Sequence, residues 1–325
     1  MASFRKRGSS WQAMVRANGI SKSKSFPTKS AAVAWAAEIE RGEPDVSHLT
    51  VKDILERYRD TVSPNKDGAR WEMIRINLFL RDSDLCNIRL NDLRRKHMAE
   101  WRDRRLKQVS GASVIREWAI ISRAFKVAVI EWEWMQFNPM DGLDKPEGNP
   151  PRDRLPTQDE LDRLCHALGY NGQDVPVTIT SRVGAAMMFS IETAMRAKEI
   201  CNLYDTDISG ATARINKAKT RAGVRKVPLS KDAIRIIDLL RRVDEPGGSI
   251  FHLKTSQLDS IFRKAKKQAM VSGLTFHDMR AEGITRFANI KKVDVLTLAR
   301  IVGHSDLSKL MVYYRESAES IAERL

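Results

Sequence analysis

Arg196 and Glu199 stand three residues apart in the segment Ile191-Glu192-Thr193-Ala194-Met195-Arg196-Ala197-Lys198-Glu199-Ile200. Read as one helix, this spacing puts both side chains on one face, where Glu199 can hold Arg196, or a nearby histidine, in a fixed orientation. Thr275-Phe276-His277-Asp278-Met279-Arg280 repeats the spacing, with His277 and Arg280 near a predicted helix start. Ile301-Val302-Gly303-His304-Ser305-Asp306 reads as a helix, a glycine turn and a further helix, and Tyr313 follows nine residues after His304, with Tyr314 beside it. An arginine fork grips two phosphate oxygens at once. Cutting a DNA phosphodiester without a metal needs cations for the developing charge, a nucleophile, and an acid for the departing 5′ oxygen. These residue types supply all three. Singly, each has a plainer reading: a surface ion pair, a structural histidine, a core or surface tyrosine.

A basic loop adds to the set. Ala213-Arg214-Ile215 and Val224 to Leu229 flank the turn-like Lys217 to Gly223 and are predicted to pair as a hairpin. Lys217, Lys219, Arg221, Arg225 and Lys226 crowd there, and on residue type alone the loop could grip phosphates. A free tyrosine has a pKa near 10, so surrounding cations are expected to lower it and favour attack.

The elements that must position these groups follow from patterning. At 325 residues the chain is about twice a usual single domain, so two or three domains are expected. From Ser3 to Phe26 residues alternate as in strands, with Trp11, Ala13 and Val15 opposite Gln12, Met14 and Arg16, and Asn18-Gly19 supplies a hairpin turn. Thr28 can cap a helix whose Ala32, Trp35, Ala36 and Ile39 recur at helical spacing. Residues 1–45 are thus predicted to be a three-stranded sheet plus a helix. Residues 48–140 read as all-helical, with one stripe of Val51, Ile54, Leu55 and Tyr58 and another of Trp118, Ile121, Phe125, Val129 and Trp132. Five of eleven prolines fall between Pro139 and Pro156, marking a linker over 141–156. Residues 157–325 alternate helical stripes with the hairpin. The fold class is mainly α with small β elements.

Charge points to a polyanionic partner: Lys and Arg number 56 against 41 Asp and Glu, for a net +15. Residues 1–30 carry Arg5, Lys6, Arg7, Arg16, Lys22, Lys24 and Lys29 with no acidic residue. A second cluster, Arg94, Arg95, Lys96, Arg102, Arg104, Arg105 and Lys107, is expected on the outside of helices and is a candidate for DNA contact. Cys86, Cys165 and Cys201 are far apart with no CxxC pair, so neither zinc nor a disulfide framework is expected, only reduced thiols in a cytoplasmic protein. No apolar run reaches the roughly 18–20 residues of a membrane span. Neither a P-loop nor a carboxylate metal cluster is visible, and no cofactor is expected.

In this order, A-M-R-x-x-E, a hairpin lysine, H-x-x-R, G-H and a tyrosine nine residues on resemble the tyrosine recombinases, the phage-integrase family. The resemblance covers the whole catalytic half at six positions. It implies that Tyr313 forms a 3′-phosphotyrosyl link, that Arg196, Arg280 and His304 bind the scissile phosphate, and that His277 aids proton transfer. It implies that Lys219 is the acid to the leaving 5′ oxygen, and that rejoining needs no ATP. Residues 1–45 are similar to an integrase arm-binding domain and 48–140 to a core-binding domain; residues 48–140 and 157–325, joined by the proline linker, are expected to clamp double-stranded DNA. It further implies a homotetramer on two DNA sites, with the tail Glu316 to Leu325 against a neighbour, and as partners a host DNA-bending protein and a directionality factor (excisionase). Two positions depart from many relatives: Tyr314-Arg315 stands where they show Thr/Ser-His, and Ala194 where they show glycine.

The rivals are an invertase or resolvase of the same family, a catalytically silent DNA-binding regulator, and an RNA-binding protein. The basic first 45 residues favour integration or excision of a phage or mobile element. A silent regulator predicts a broken residue set, whereas every position here is filled. RNA binding predicts aromatic-rich strands or arginine-rich disorder, and neither is visible.

Overall fold

The structure, a computed structural model, describes residues 2–17, 20–40, 46–150, 154–216, 224–243, 248–290, 292–304 and 306–314. Lys219, the Arg16 side chain, the Asn18-Gly19 turn and the tail beyond Tyr314 lie outside these residues. The chain divides into two compact units, 1–151 and 152–325, and the division falls inside the proline-rich segment.

The first unit begins with strands β1 (Ala2–Arg7), β2 (Ser10–Ala17) and β3 (Ile20–Phe26), an antiparallel sheet in that order. The register pairs Phe4 with Ala13 and Trp11 with Phe26. Ala13 and Val15 are fully buried, as the two-residue alternation predicts, and α1 (Lys29–Glu40) buries Ala32 and Ala36. Thr28 Oγ1 accepts the Ala31 N–H at 3.3 Å and so caps α1.

Five helices follow: α2 (Val51–Thr61), α3 (Ala69–Phe79), α4 (Ser83–Cys86), α5 (Arg95–Leu106) and α6 (Gly111–Ile130). The predicted stripes meet in one core, where Val51, Ile54, Leu55 and Tyr58 share a cluster with Trp118, Ile121 and Phe125, while Val127 and Ala128 take the place predicted for Val129 and Trp132 packs on the cluster from beyond the end of α6. Trp101 sits between Phe79 and Trp118, with ring centroids 6.1 and 6.3 Å away. Each such burial stabilises by roughly 2 kcal/mol.

The basic cluster of α5 is less uniform than its sequence. Arg105 donates from Nε and Nη2 to Glu117 at 2.7 and 2.9 Å, and Glu117 is only 1% exposed. Arg104 donates to both Asp82 oxygens at 3.1 and 3.2 Å. Arg105 thus meets a carboxylate that, being buried, requires a cation, whereas Arg104 keeps 40% of its side chain exposed and pairs with a carboxylate that is itself 28% exposed. Arg94 Nη1 donates to the Asn91 and Leu93 carbonyls at 2.7 and 2.9 Å, while Arg95 and Lys96 are exposed at the start of α5. In the sheet, Arg5, Lys6, Arg7 and Lys24 are exposed and Lys22 is half-buried.

The second unit is built on α8 (Ile179–Thr193), apolar nearly all round, with Val183, Ala185, Ala186, Met187 and Phe189 fully buried. Around it lie α7 (Gln158–Leu168), α9 (Ala197–Cys201), α10 (Lys231–Leu240) and α11 (Thr255–Gln268). Next come α12 (Phe276–Thr285), a π-helical turn (Arg286–Ile290), α13 (Val295–Val302) and α14 (Ser308–Met311). The predicted hairpin is present as β5 (Thr212–Ile215) and β6 (Arg225–Pro228), and β4 (Ile208–Ser209) extends it to three strands. Gly283 lets α12 approach α8 closely, because a Cβ there would lie 2.5 Å from the Ile191 carbonyl oxygen.

Candidate active site

The segment predicted as one helix is two. α8 stops at Thr193, Ala194 turns into the left-handed region at φ 50°, and Arg196 becomes the N-cap of α9. Thr193 Oγ1 donates to the Phe189 carbonyl at 2.6 Å, and Ser190 Oγ donates to the Met195 carbonyl at 3.1 Å. The break leaves the Ala194 carbonyl outside the helical ladder, where Arg280 Nη1 donates to it. A left-handed L-residue costs about 1 kcal/mol, which glycine would avoid, so the departure at Ala194 is one of strain and not of chemistry. The spacing of Arg196 and Glu199 survives as N-cap to N3. Glu199 accepts the Arg196 backbone N–H at 2.9 Å and its Nη1 at 2.9 Å.

Arg280 is the deepest of the candidate groups, 2% exposed. Beyond Ala194, its Nη2 donates to the Val302 carbonyl at 2.8 Å, so one guanidinium links the α8–α9 corner to the last turn of α13. Burial, with the like charges of Arg196 and, less strongly, Arg225, lowers its pKa to about 9 against the pull of Glu199 and Tyr313. It remains a cation at neutral pH, and an anion brought to it would be bound strongly for the same reason.

His277 is exposed in the first turn of α12, whose start Asp278 fixes by accepting the Thr275 N–H at 2.6 Å and its Oγ1 at 3.0 Å. Arg196, His277 and Arg280 line one cavity of about 320 Å³, together with Ser190, Thr255 and Thr275. His304 follows Gly303, which ends α13 in the left-handed conformation at φ 68°, and its N–H donates to the Ala299 carbonyl at 3.1 Å.

The two tyrosines differ. Both are half-buried against the small cluster of Ala194, Ile284, Phe287, Leu298 and Leu310. Tyr314 donates its hydroxyl to the Val293 carbonyl at 2.5 Å, so its phenol has a structural partner. Tyr313 lies within the field of Arg280. Burial pushes its phenol up, the Arg280 charge pulls it down, Asp278 pushes it up again, and the net direction is upward. The expectation that surrounding cations lower this pKa is therefore corrected: lost hydration outweighs one buried guanidinium.

One residue of the site escaped the sequence reading. Residue type places Arg225 with the loop cations that could grip phosphates, yet its side chain is 5% exposed and its guanidinium meets Glu199 at 2.9 and 3.1 Å. Its Nε donates to the Ile301 carbonyl at 2.6 Å. The signal was available: Arg225 lies two residues before Val227, which is fully buried, so strand alternation turns both inward.

Residues 155–320 match the model of the phage integrase family. Over 325 aligned residues, 97% of this chain and 87% of the relative, the chain is 38% identical to a presumed integrase/recombinase of Haemophilus influenzae. The chain belongs to the phage integrase family. It is accordingly a site-specific DNA recombinase of the tyrosine type. It is also 27% identical to the shufflon-specific DNA recombinase of Escherichia coli, over 87% of this chain and 73% of that one. In fold the recombinase resembles the lambda integrase tetramer bound to a Holliday junction, with a TM-score of 0.66 at 19% identity, covering 97% of this chain and 96% of that one. No helix among the described residues is long and apolar enough to cross a membrane.

Proposed function

We propose that this recombinase cuts and rejoins double-stranded DNA at Tyr313, with Arg196, Arg280 and His304 on the scissile phosphate. The observation that carries the reading is the setting of Arg280. It is a buried cation held by two backbone carbonyls, beside Arg196 in one cavity and within electrostatic reach of the Tyr313 phenol. Tyr313 Oη attacks phosphorus, the P–O5′ bond breaks, and the 5′ oxygen takes a proton, which the family resemblance assigns to Lys219. His277 assists removal of the phenolic proton. The phosphotyrosyl ester keeps the energy of the phosphodiester, so an incoming 5′ hydroxyl rejoins the strand and returns the tyrosine.

The arginines stabilise the extra negative charge of the five-coordinate phosphorus, as oxyanion-hole donors do in acyl transfer, where one donor is worth about 2.7–4 kcal/mol. Residues 1–45, with Arg5, Lys6, Arg7, Lys22 and Lys24, and the α5 start, with Arg95 and Lys96, supply salt-sensitive phosphate contacts. Four protomers act on two DNA sites, in keeping with the tetrameric assembly of the lambda integrase neighbour. The basic sheet favours integration or excision, and the kinship with a shufflon recombinase favours inversion as the second reading. The sites themselves separate them: exchange between two non-identical sites on separate DNA molecules supports integration, and exchange confined to identical inverted sites within one molecule supports the alternative.

A nicked duplex carrying a crossover site, incubated with the protein, tests the chemistry. A covalent adduct on a denaturing gel that disappears in Tyr313→Phe supports the reading, and an adduct that survives the substitution contradicts it.

A further inference from the structure

The proposed chemistry has no use for Arg225, yet this side chain is among the most deeply placed cations of the second unit, 5% exposed. Its fork spans both oxygens of Glu199 at 2.9 and 3.1 Å, and Glu199 in turn holds Arg196 through a backbone and a side-chain bond, each 2.9 Å. A further bond, from Nε to the Ile301 carbonyl at 2.6 Å, falls on the last turn of α13, three residues before His304. Arg280 binds the neighbouring carbonyl, Val302, at 2.8 Å. Three arginines from β6, the α9 cap and α12 thus converge on one carboxylate and one helix end.

Stability alone does not account for this arrangement. A buried ion pair gains little over well-packed apolar side chains of similar volume, because both charges must first leave water. The arrangement does fix direction. Arg196 has 39% of its side chain exposed and could sample many poses, and only Glu199 ties its guanidinium among the described bonds. Arg225 meets the same two Glu199 oxygens that hold Arg196, and so fixes the carboxylate on which the aim of Arg196 depends. Three guanidiniums against one carboxylate also leave an excess of positive charge beside the cavity, suited to a phosphate that gains charge as it is attacked.

We propose that Arg225 is a positioning residue for strand cleavage, acting through Glu199 on the aim of Arg196 and through the Ile301 carbonyl on the end of α13 that presents His304. The inference rests on the assignment of Arg196 and His304 to the scissile phosphate. It makes Arg225 neither a DNA contact nor a catalytic residue.

The test compares wild type, Arg225→Gln and Arg225→Lys in single-turnover cleavage of two nicked duplexes, one normal and one with a methylphosphonate at the scissile position. The methylphosphonate removes the negative charge that Arg196 is aimed to meet. A misaimed arginine should slow cleavage of the normal duplex about 100-fold, the effect of a misplacement of about 1 Å. On the methylphosphonate the same variants should fall only a few-fold short of wild type, because the group they misplace has less to neutralise. Arg225→Lys keeps a charge beside Glu199, so it supplies the comparison if Arg225→Gln does not fold. As a point charge in place of a fork it should behave like the glutamine variant.

Equal losses on both duplexes identify a merely structural residue and overturn the inference. Cleavage of the normal duplex at the wild-type rate by either folded variant overturns it as well. Wild type that forms no Tyr313-dependent adduct on the normal duplex removes the underlying reading and the inference with it.

Discussion

Substituting Gly283 by alanine probes how the fold places the phosphate-binding groups. In an ordinary helix interior the change stabilises, since alanine exceeds glycine by about 1 kcal/mol in helix propensity. Here the new Cβ would lie 2.5 Å from the Ile191 carbonyl oxygen and 3.1 Å from that of Ser190, both backbone atoms of α8. Ordinary contact begins at 3.4 Å, so α12 must retreat from α8 by nearly an ångström. Overpacking of this kind costs roughly 1–3 kcal/mol, which cancels the propensity gain and leaves a net loss of about 1 kcal/mol. Function should suffer more than stability. α12 carries Arg280, whose bond to the Ala194 carbonyl at the end of α8 depends on this approach, and a shift near 1 Å lowers a rate by about 100-fold. Urea unfolding and single-turnover cleavage of a nicked duplex measure the two effects side by side. A Gly283→Ala protein that is more stable than wild type and cleaves at the same rate would refute the claim that helix approach at Gly283 aims Arg280.

Other outcomes follow from particular contacts. Arg105→Ala leaves buried Glu117 with only Arg75, at 3.3 Å, and should cost about 2 kcal/mol of stability in urea unfolding with no change in the salt dependence of DNA binding. Lys96→Ala should do the reverse, reducing the slope of log affinity against log salt by about 1 at unchanged stability. Tyr314→Phe should lose about 1 kcal/mol, for the bond to the Val293 carbonyl, and still form the covalent adduct. Burial opposes ionisation of Glu199, but Arg225 first and Arg196 second outweigh it and hold the carboxyl below its ordinary 4.5. Because the folded value is the lower one, this stabilisation is complete above pH 4.5 and fades as pH falls through the folded value. Unfolding curves should therefore converge between wild type and Glu199→Gln on acidification, and a gap independent of pH would contradict the assignment.

Much of the fold was legible because its signals are local. Alternation in β2, the cap at Thr28, the stripes of α2 and α6 and the hairpin strands depend on near neighbours, and the structure places them as patterning predicts. The spacing of His277 and Arg280, and the glycine turn before His304, were readable for the same reason. What sequence could not show was set by distant partners. The break at Ala194 carries no glycine or proline, and its carbonyl finds its donor 86 residues away in Arg280. Arg105 and Arg225 look like surface cations in basic stretches, and only the buried carboxylates of Glu117 and Glu199 distinguish them. The rise in the Tyr313 pKa likewise reflects burial that its own segment does not encode.

The central claim is that one of two adjacent phenols reacts, and the identity of the modified residue decides it. The adduct formed on a nicked duplex would be digested with nuclease and protease, and the nucleotide-bearing peptide sequenced by mass spectrometry, for wild type and Tyr314→Phe alike. A 3′-phosphonucleotide on Tyr313 in both proteins is the predicted result. A nucleotide on Tyr314 in wild type, or an adduct lost in Tyr314→Phe, would contradict it.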